Sequence, residues 1–176
     1  QASPSGYPTS NVINNMVGGL YGTGTSYGIY AQSTANTNFY HNTVYMSSDN
    51  GSSRAFYHSS GTGNELINNT LISDAPNGYA MFINTNNTYT AINFNNLVSA
   101  STTLAYTWGT NYFDLPSLQA SNTTFNVNSV SVAPQFLSRS SIQPDLHLNA
   151  NWQAPYGSNN LGVTLDVDGD NRCPSA

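Results

Sequence analysis

The sequence predicts an all-β chain, a right-handed parallel β-helix whose coils are about 27 residues long. Three observations predict it: a composition hostile to helices, an asparagine that recurs at one fixed interval, and a second recurring column built on aromatic residues. Asn, Ser, Thr, Gly and Tyr crowd the 176 residues, strong helix formers are scarce, and no apolar pattern holds helical spacing for long.

Asn15, Asn42, Asn69 and Asn96 stand 27 residues apart, each preceded by a polar residue, Asn14, His41, Asn68 or Asn95. A fixed period of this length is the signature of a solenoid. Two positions before each Asn comes Ile13, Tyr40, Ile67 or Phe94, and two after it Val17, Val44, Leu71 or Val98. Strict alternation would put the Asn and both apolar columns on one side of a strand. Val12, Phe39 and Leu66 break that alternation and predict a bend just before the Asn. In a parallel β-helix equivalent residues stack about 4.8 Å apart, so the four asparagines form a ladder whose amides satisfy one another.

Midway between these strands lie Gly28-Ile29-Tyr30, Ala55-Phe56-Tyr57 and Ala80-Met81-Phe82, with Ala105-Tyr106 as a weaker fourth member. Turn clusters of variable length, such as Asp74-Ala75-Pro76-Asn77-Gly78, separate the strands. The period fails after about residue 100, and alternating segments at 125–132, 145–148 and 163–167 are read as strands that complete one or two further coils. The reading is one domain over 1–176, with regular coils at about 9–110 and irregular coils and a tail at 111–176.

Charge narrows the function. Lys+Arg number 3, Asp+Glu 8, and charged residues are 6% of the chain, against about 25% in an ordinary domain. Arg54, Arg139 and Arg172, with no lysine, cannot neutralise a row of phosphates, so nucleic acid is not an expected partner. No stretch approaches the length of a membrane span and no signal peptide opens the chain, so membrane insertion is not expected. With 38% hydrophobic and 12% aromatic residues, the chain has the apolar surface to fold. Cys173 stands alone, which leaves no internal disulfide and no Cys-based zinc site.

The layout resembles the secreted, pectate-lyase-like right-handed parallel β-helix repeat proteins of Bacteroidota-type bacteria. The resemblance rests on the Asn-Asn or His-Asn repeat with Gly-Ile-Tyr and its variants. It rests more specifically on the tail: Asn128-Ser129-Val130-Ser131-Val132-Ala133-Pro134-Gln135-Phe136, Asp145-Leu146-His147-Leu148 and Asp166-Val167-Asp168-Gly169-Asp170-Asn171-Arg172. Similar proteins continue beyond this arginine into a strand containing Ile-Gly-Ala, so the resemblance implies a portion of something longer. It also implies export to the cell surface or beyond, and no particular activity, because such scaffolds host lyases, hydrolases, adhesins and spacers alike.

Candidate chemistry is sparse. Lyases on this scaffold need a base and calcium-holding acids, and hydrolases need clustered carboxylates. The coils offer Asp49, Glu65, Asp74 and Asp114 with Arg54, and no catalytic residue is assigned. Asp49 and Asp74 either approach on neighbouring coils or cap turns. Asp166, Asp168 and Asp170, at alternate positions around Gly169, are candidate calcium ligands or an ordinary turn facing Arg172, and no other cofactor is expected. His41 substitutes for Asn in its column, and His58 and His147 lack metal-ligand spacing. Sequons fall at Asn50, Asn68, Asn86 and Asn122, a number unremarkable in so Asn-, Ser- and Thr-rich a chain. Tyr30, Tyr57 and Phe82 are candidates to grip an extracellular glycan, or stack only to stabilise the coils.

A solenoid exposes strand edges at both ends, and neither end shows an amphipathic cap or a gatekeeping lysine in the sequence. The expectation is therefore a non-catalytic extracellular structural module, a fibre subunit or stalk segment that associates with copies of itself or with neighbouring β-modules. The alternative is a polysaccharide-active enzyme or glycan-binding adhesin domain.

Overall fold

A computed structural model describes residues 8–153, 157–158 and 161–172. It is a parallel β-solenoid of four coils with three strand faces, followed by a tail that folds back along its side. Strands β1 (Ser10–Ile13), β2 (Met16–Leu20) and β3 (Tyr27–Ala35) make the first coil. The later coils contain β4 (Thr37–Tyr40), β5 (Thr43–Met46), β6 (Arg54–Ile67), β7 (Thr70–Ser73), β8 (Tyr79–Ile83), β9 (Asn87–Asn93), β10 (Asn96–Ser99) and β11 (Ala105–Thr107). One face is β1, β4, the end of β6 and β9; a second is β2, β5, β7 and β10; a third is β3, the start of β6, β8 and β11.

The core is stacked columns. Val12, Phe39, Leu66 and Ile92 align on the first face, Val17, Val44, Leu71 and Leu97 on the second, and Ile29, Phe56, Met81 and Ala105 on the third. Phe39 meets Phe56 edge-on across the interior, ring centroids 5.2 Å apart. The space between the faces is narrow: a Cβ on Gly28 would overlap the Val44 side chain and lie 2.6 Å from the Ala55 carbonyl oxygen.

The bend expected before each ladder residue is present. Asn14, His41, Asn68 and Phe94 have φ of 58°, 55°, 59° and 54°, the left-handed region that Asn tolerates better than most residues. This bend corrects the expected facing. It reverses the alternation, so Val12, Phe39 and Leu66 point into the core, while Ile13, Tyr40 and Ile67 lie outside the core cluster.

The fourth ladder position is a second correction. Asn15 pairs with Asn42 and Asn42 with Asn69 at intervals of 27, but the Asn69 amide meets Asn95, 26 residues on. The turn from Asp74 to Gly78 is shorter than its predecessor, so Arg54 aligns with Tyr79 and the register advances. Asn96 instead pairs with Thr70 in β10, and its side chain bonds the backbone of Val132. Leu97 rather than Val98 then takes the inward place.

The C-terminal end of the solenoid is covered, contrary to the expectation of two open ends. Strand β12 (Thr110–Tyr112) turns back antiparallel on β11. Helix α1 (Leu115–Ala120) then buries Leu115 and Leu118 against the core, its N-terminus capped by Asp114, whose carboxylate accepts the Ser117 N–H at 2.8 Å. Val130 bridges Asn96, and the Asn126 N–H donates to the Ile92 carbonyl.

Among the described residues, the rest of the tail forms no further coil. Strands β13 (Phe136–Ser138) and β14 (Asp145–Leu148) make an antiparallel hairpin that lays Leu146 and Phe136 against Tyr45, Ile72 and Val98 on the outside of the second face. Within 163–167 only Leu165 pairs, with Asn171. Cys173 lies outside the described residues.

Candidate functional site

The ladder is directional. In each step the Oδ1 of one Asn accepts both the backbone N–H and the Nδ2 of its counterpart one coil nearer the N-terminus, at 2.8–3.2 Å. The Nδ2 groups of Asn42, Asn69 and Asn95 also donate to the carbonyls of Val12, Phe39 and Leu66. Ser129 ends the column by accepting the Asn95 N–H. At the opposite end, among the described residues, no donor reaches the Oδ1 of Asn15.

Other columns are unfinished at that same end. Strands β1, β2 and β3 pair on one side only among the described residues. Ile13 is 36% exposed where its neighbour Tyr40 is 6% exposed. Met16, Tyr27 and Tyr30 in this coil are also exposed.

A second feature lies on the outside of the third face. Tyr30, Tyr57, Phe82 and Tyr106 align in register, with consecutive ring centroids 5.2, 5.2 and 4.3 Å apart. Beside them runs a shorter column, Tyr27, Arg54 and Tyr79. The Arg54 guanidinium carbon lies 4.6–5.9 Å from the ring centroids of Phe82, Tyr79, Tyr57 and Tyr27. Tyr30, Tyr57 and Phe82 thus stack in one column, with Tyr27, Arg54 and Tyr79 beside it. The signal for Arg54 was available, since it follows Tyr27 by one period.

The acids are engaged elsewhere. Asp74 takes a two-pronged contact from Arg139 at 2.8 and 2.9 Å and accepts the Tyr45 hydroxyl, so its partner is the tail rather than Asp49. Glu65 accepts the hydroxyls of Tyr40 and Thr90. Burial, and after it the contact with Glu65, pushes the Tyr40 hydroxyl well above its ordinary range. Among the described residues, no three acidic, His or Cys side chains converge as a metal site. In the 166–170 loop Asp166 Oδ1 accepts the N–H groups of Asp168 and Asp170, and the Asp168 carboxylate faces His147. Arg172 does not act chiefly as counter-ion to these acids: it donates to Asn14 Oδ1 at 2.6 Å and to the Leu165 carbonyl.

The histidines have three different roles. His41 occupies the bend, where burial and then the nearby Arg172 charge lower its pKa to about 4. His58 stands fully buried in the inward column between Ala31 and Ile83, where it meets the hydroxyls of Thr34 and Tyr89. Burial lowers its pKa to about 4 as well. His147 is exposed between Asp145, at 2.5 Å, and Asp168, at 3.0 Å, and these carboxylates raise its pKa. Of the sequon asparagines, Asn50 bonds the Thr23 carbonyl, Asn68 the backbone of Ser158, and Asn122 the 124–125 turn, while Asn86 is exposed.

Set against known families, curated proteins and solved structures, the chain matches none of them.

Proposed function

We propose that the chain is a non-catalytic structural module of an extracellular β-solenoid, the closing segment of a surface stalk whose first coil docks on a further parallel coil. One observation carries this reading: among the described residues, the asparagine column, the core columns and the strand edges are all left unfinished at the first coil and are all terminated at the other end. An added coil would place an N–H and an amide on the Asn15 Oδ1 and would cover Ile13 and Met16. Repeat proteins need such terminal caps, because an uncovered end recruits strands indiscriminately.

The covered end favours a stalk over a self-assembling fibre. Copies stacked head to tail would have to displace α1 and β12. The resemblance to secreted pectate-lyase-like right-handed parallel β-helix proteins of Bacteroidota type supports the extracellular setting. The engagement of Asp74, Glu65 and Asp166 in structural contacts supports a non-catalytic role.

Electron microscopy of the purified chain tests the assembly, and incubation with a panel of polysaccharides tests the chemistry. Single particles or end-joined pairs are expected, with no new reducing ends. Filaments many subunits long would overturn the closing-module reading, and product accumulating with protein concentration would overturn the non-catalytic one.

A further inference from the structure

We propose that the outer aromatic strip of the third face binds an anionic extracellular glycan, with Arg54 receiving its carboxylate or sulfate group and the flanking rings its sugar faces. This does not rest on the closing-module reading, since the strip spans all four coils whatever lies at their ends.

The rings alone would be ambiguous, because aromatic columns also stabilise sheets. Arg54 decides the matter. Arg139 is held by Asp74 and Arg172 by Asn14 and the Leu165 carbonyl. Among the described residues, no protein oxygen accepts from the Arg54 side chain, and its Nε is buried without a hydrogen-bond partner. The buried Nε is left unpaired at a cost, and with no protein acceptor the terminal N–H groups of the fork are the ones open to a ligand. Ring faces offset part of that cost through their negative quadrupole, but they leave the hydrogen-bonding fork unused.

The ligand chemistry follows from the surroundings. A guanidinium fork selects a planar or multi-oxygen anion such as a carboxylate or sulfate. Tyr30 and Tyr57 are parallel to within 6° at 5.2 Å, an offset stack that overlaps only in part. Ring face therefore remains along the outer side, and Tyr30 is 51% exposed. The C–H faces of a sugar ring suit such a surface, and a polymer lying along the solenoid axis would cross the Tyr30, Tyr57, Phe82 and Tyr106 rings in turn. The chain's net charge of -5 opposes the approach of an anion only weakly, since physiological salt screens charges beyond about 8 Å.

Titration calorimetry with a sulfated galactan oligosaccharide, its desulfated counterpart and an alginate oligosaccharide tests this. Binding of at least one anionic probe is expected, with the desulfated chain bound about tenfold or more weakly than the sulfated one if sulfate is the group recognised. Arg54→Gln should lower affinity for the anionic probe by about tenfold or more, Arg54→Lys should restore it in part, and Tyr30→Ala should weaken it while leaving the melting curve unchanged. Tyr21→Ala, exposed but off the strip, is the control and should change nothing. If Arg54→Gln fails to fold, the comparison of Arg54→Lys and Tyr30→Ala still decides the question. No binding of any anionic probe, equal binding of the sulfated and desulfated chains with none of alginate, or affinity indifferent to both Arg54→Lys and Tyr30→Ala would overturn the proposal.

Discussion

The Oδ1 of Asn95 accepts two hydrogen bonds from Asn69, one from its backbone N–H and one from its side-chain amide, both at 3.0 Å. Asn69 in turn accepts the same pair from Asn42 and donates to the Phe39 carbonyl. Removing one buried rung therefore strands groups on both neighbours. Asn69→Ala should cost about 3 kcal/mol or more, because several buried donors and acceptors lose partners together. Asn15→Ala, at the exposed end of the same column, should cost no more than about 1 kcal/mol. Denaturant melts of the two variants check the contrast, and equal losses would contradict the ladder.

Gly28 and Gly24 make a paired test of packing. Gly28→Ala would drive a methyl into Val44 and the Ala55 carbonyl, whereas nothing lies within 4 Å of a Cβ on Gly24. The first substitution should destabilise by about 1–3 kcal/mol through overpacking. The second should be neutral, as thermal unfolding will show.

Acid should weaken the fold before its carboxylates titrate. The folded pKa values of His41 and His58 lie near 4, below the ordinary 6.5, so the folded state holds fewer protons than the unfolded one between those limits. Stability contributed by each neutral ring is full above about pH 6.5 and is lost as pH falls toward about 4, up to about 3 kcal/mol for the fully buried His58. His58→Gln should lower stability at pH 7 yet flatten the slope between pH 6.5 and 4. An unchanged slope would count against this account. His41→Asn, which restores the residue of Asn14 and Asn68, should gain relative stability most at the acid end.

His147 acts in the opposite direction. Its raised pKa means that its contribution is full below about pH 6.5 and is lost as pH rises through the folded value. The link from β14 to Asp168 should then loosen while the coils stay intact. Amide exchange measured across that range should speed up at 166–170 and stay constant, after correction for intrinsic rate, in β5 and β7. His147→Ala should abolish the difference.

Much of the coil architecture could be read from the sequence because constant spacing survives variable turns. The 27-residue interval located the first three rungs, and the misfit of Val12, Phe39 and Leu66 located the bend. The fourth rung is obscured by the doublet Asn95-Asn96: both residues are asparagine, and the shortened turn after Asp74, together with the residue regained between Ile83 and Asn87, decides between them. Helix α1 escaped because its six residues are too few to show periodicity, although Asp114 followed by Leu115-Pro116-Ser117 carries a helix-start signal. Arg54 is masked in the sequence because it interrupts the column of Tyr27 and Tyr79 with a residue of another chemistry. The tail motifs pointed to further coils because alternation gives strand propensity but not the partner, and Leu146 found the outside of the second face instead of a fifth coil.

A solenoid usually comes apart as a zipper does, from an end, since each repeat touches only its neighbours. The tail changes that connectivity. Ser158 bonds Asn68 across 90 residues, and Arg172 and Leu165 bond Asn14 across 158 and 151. The last described residue is thus buckled to the first coil, and a stack of semi-independent units becomes a closed circuit in which no coil can fray without releasing the strap. Unfolding should then be a single concerted event, and a pulling force applied through the first coil would load the strap before it could peel the ladder.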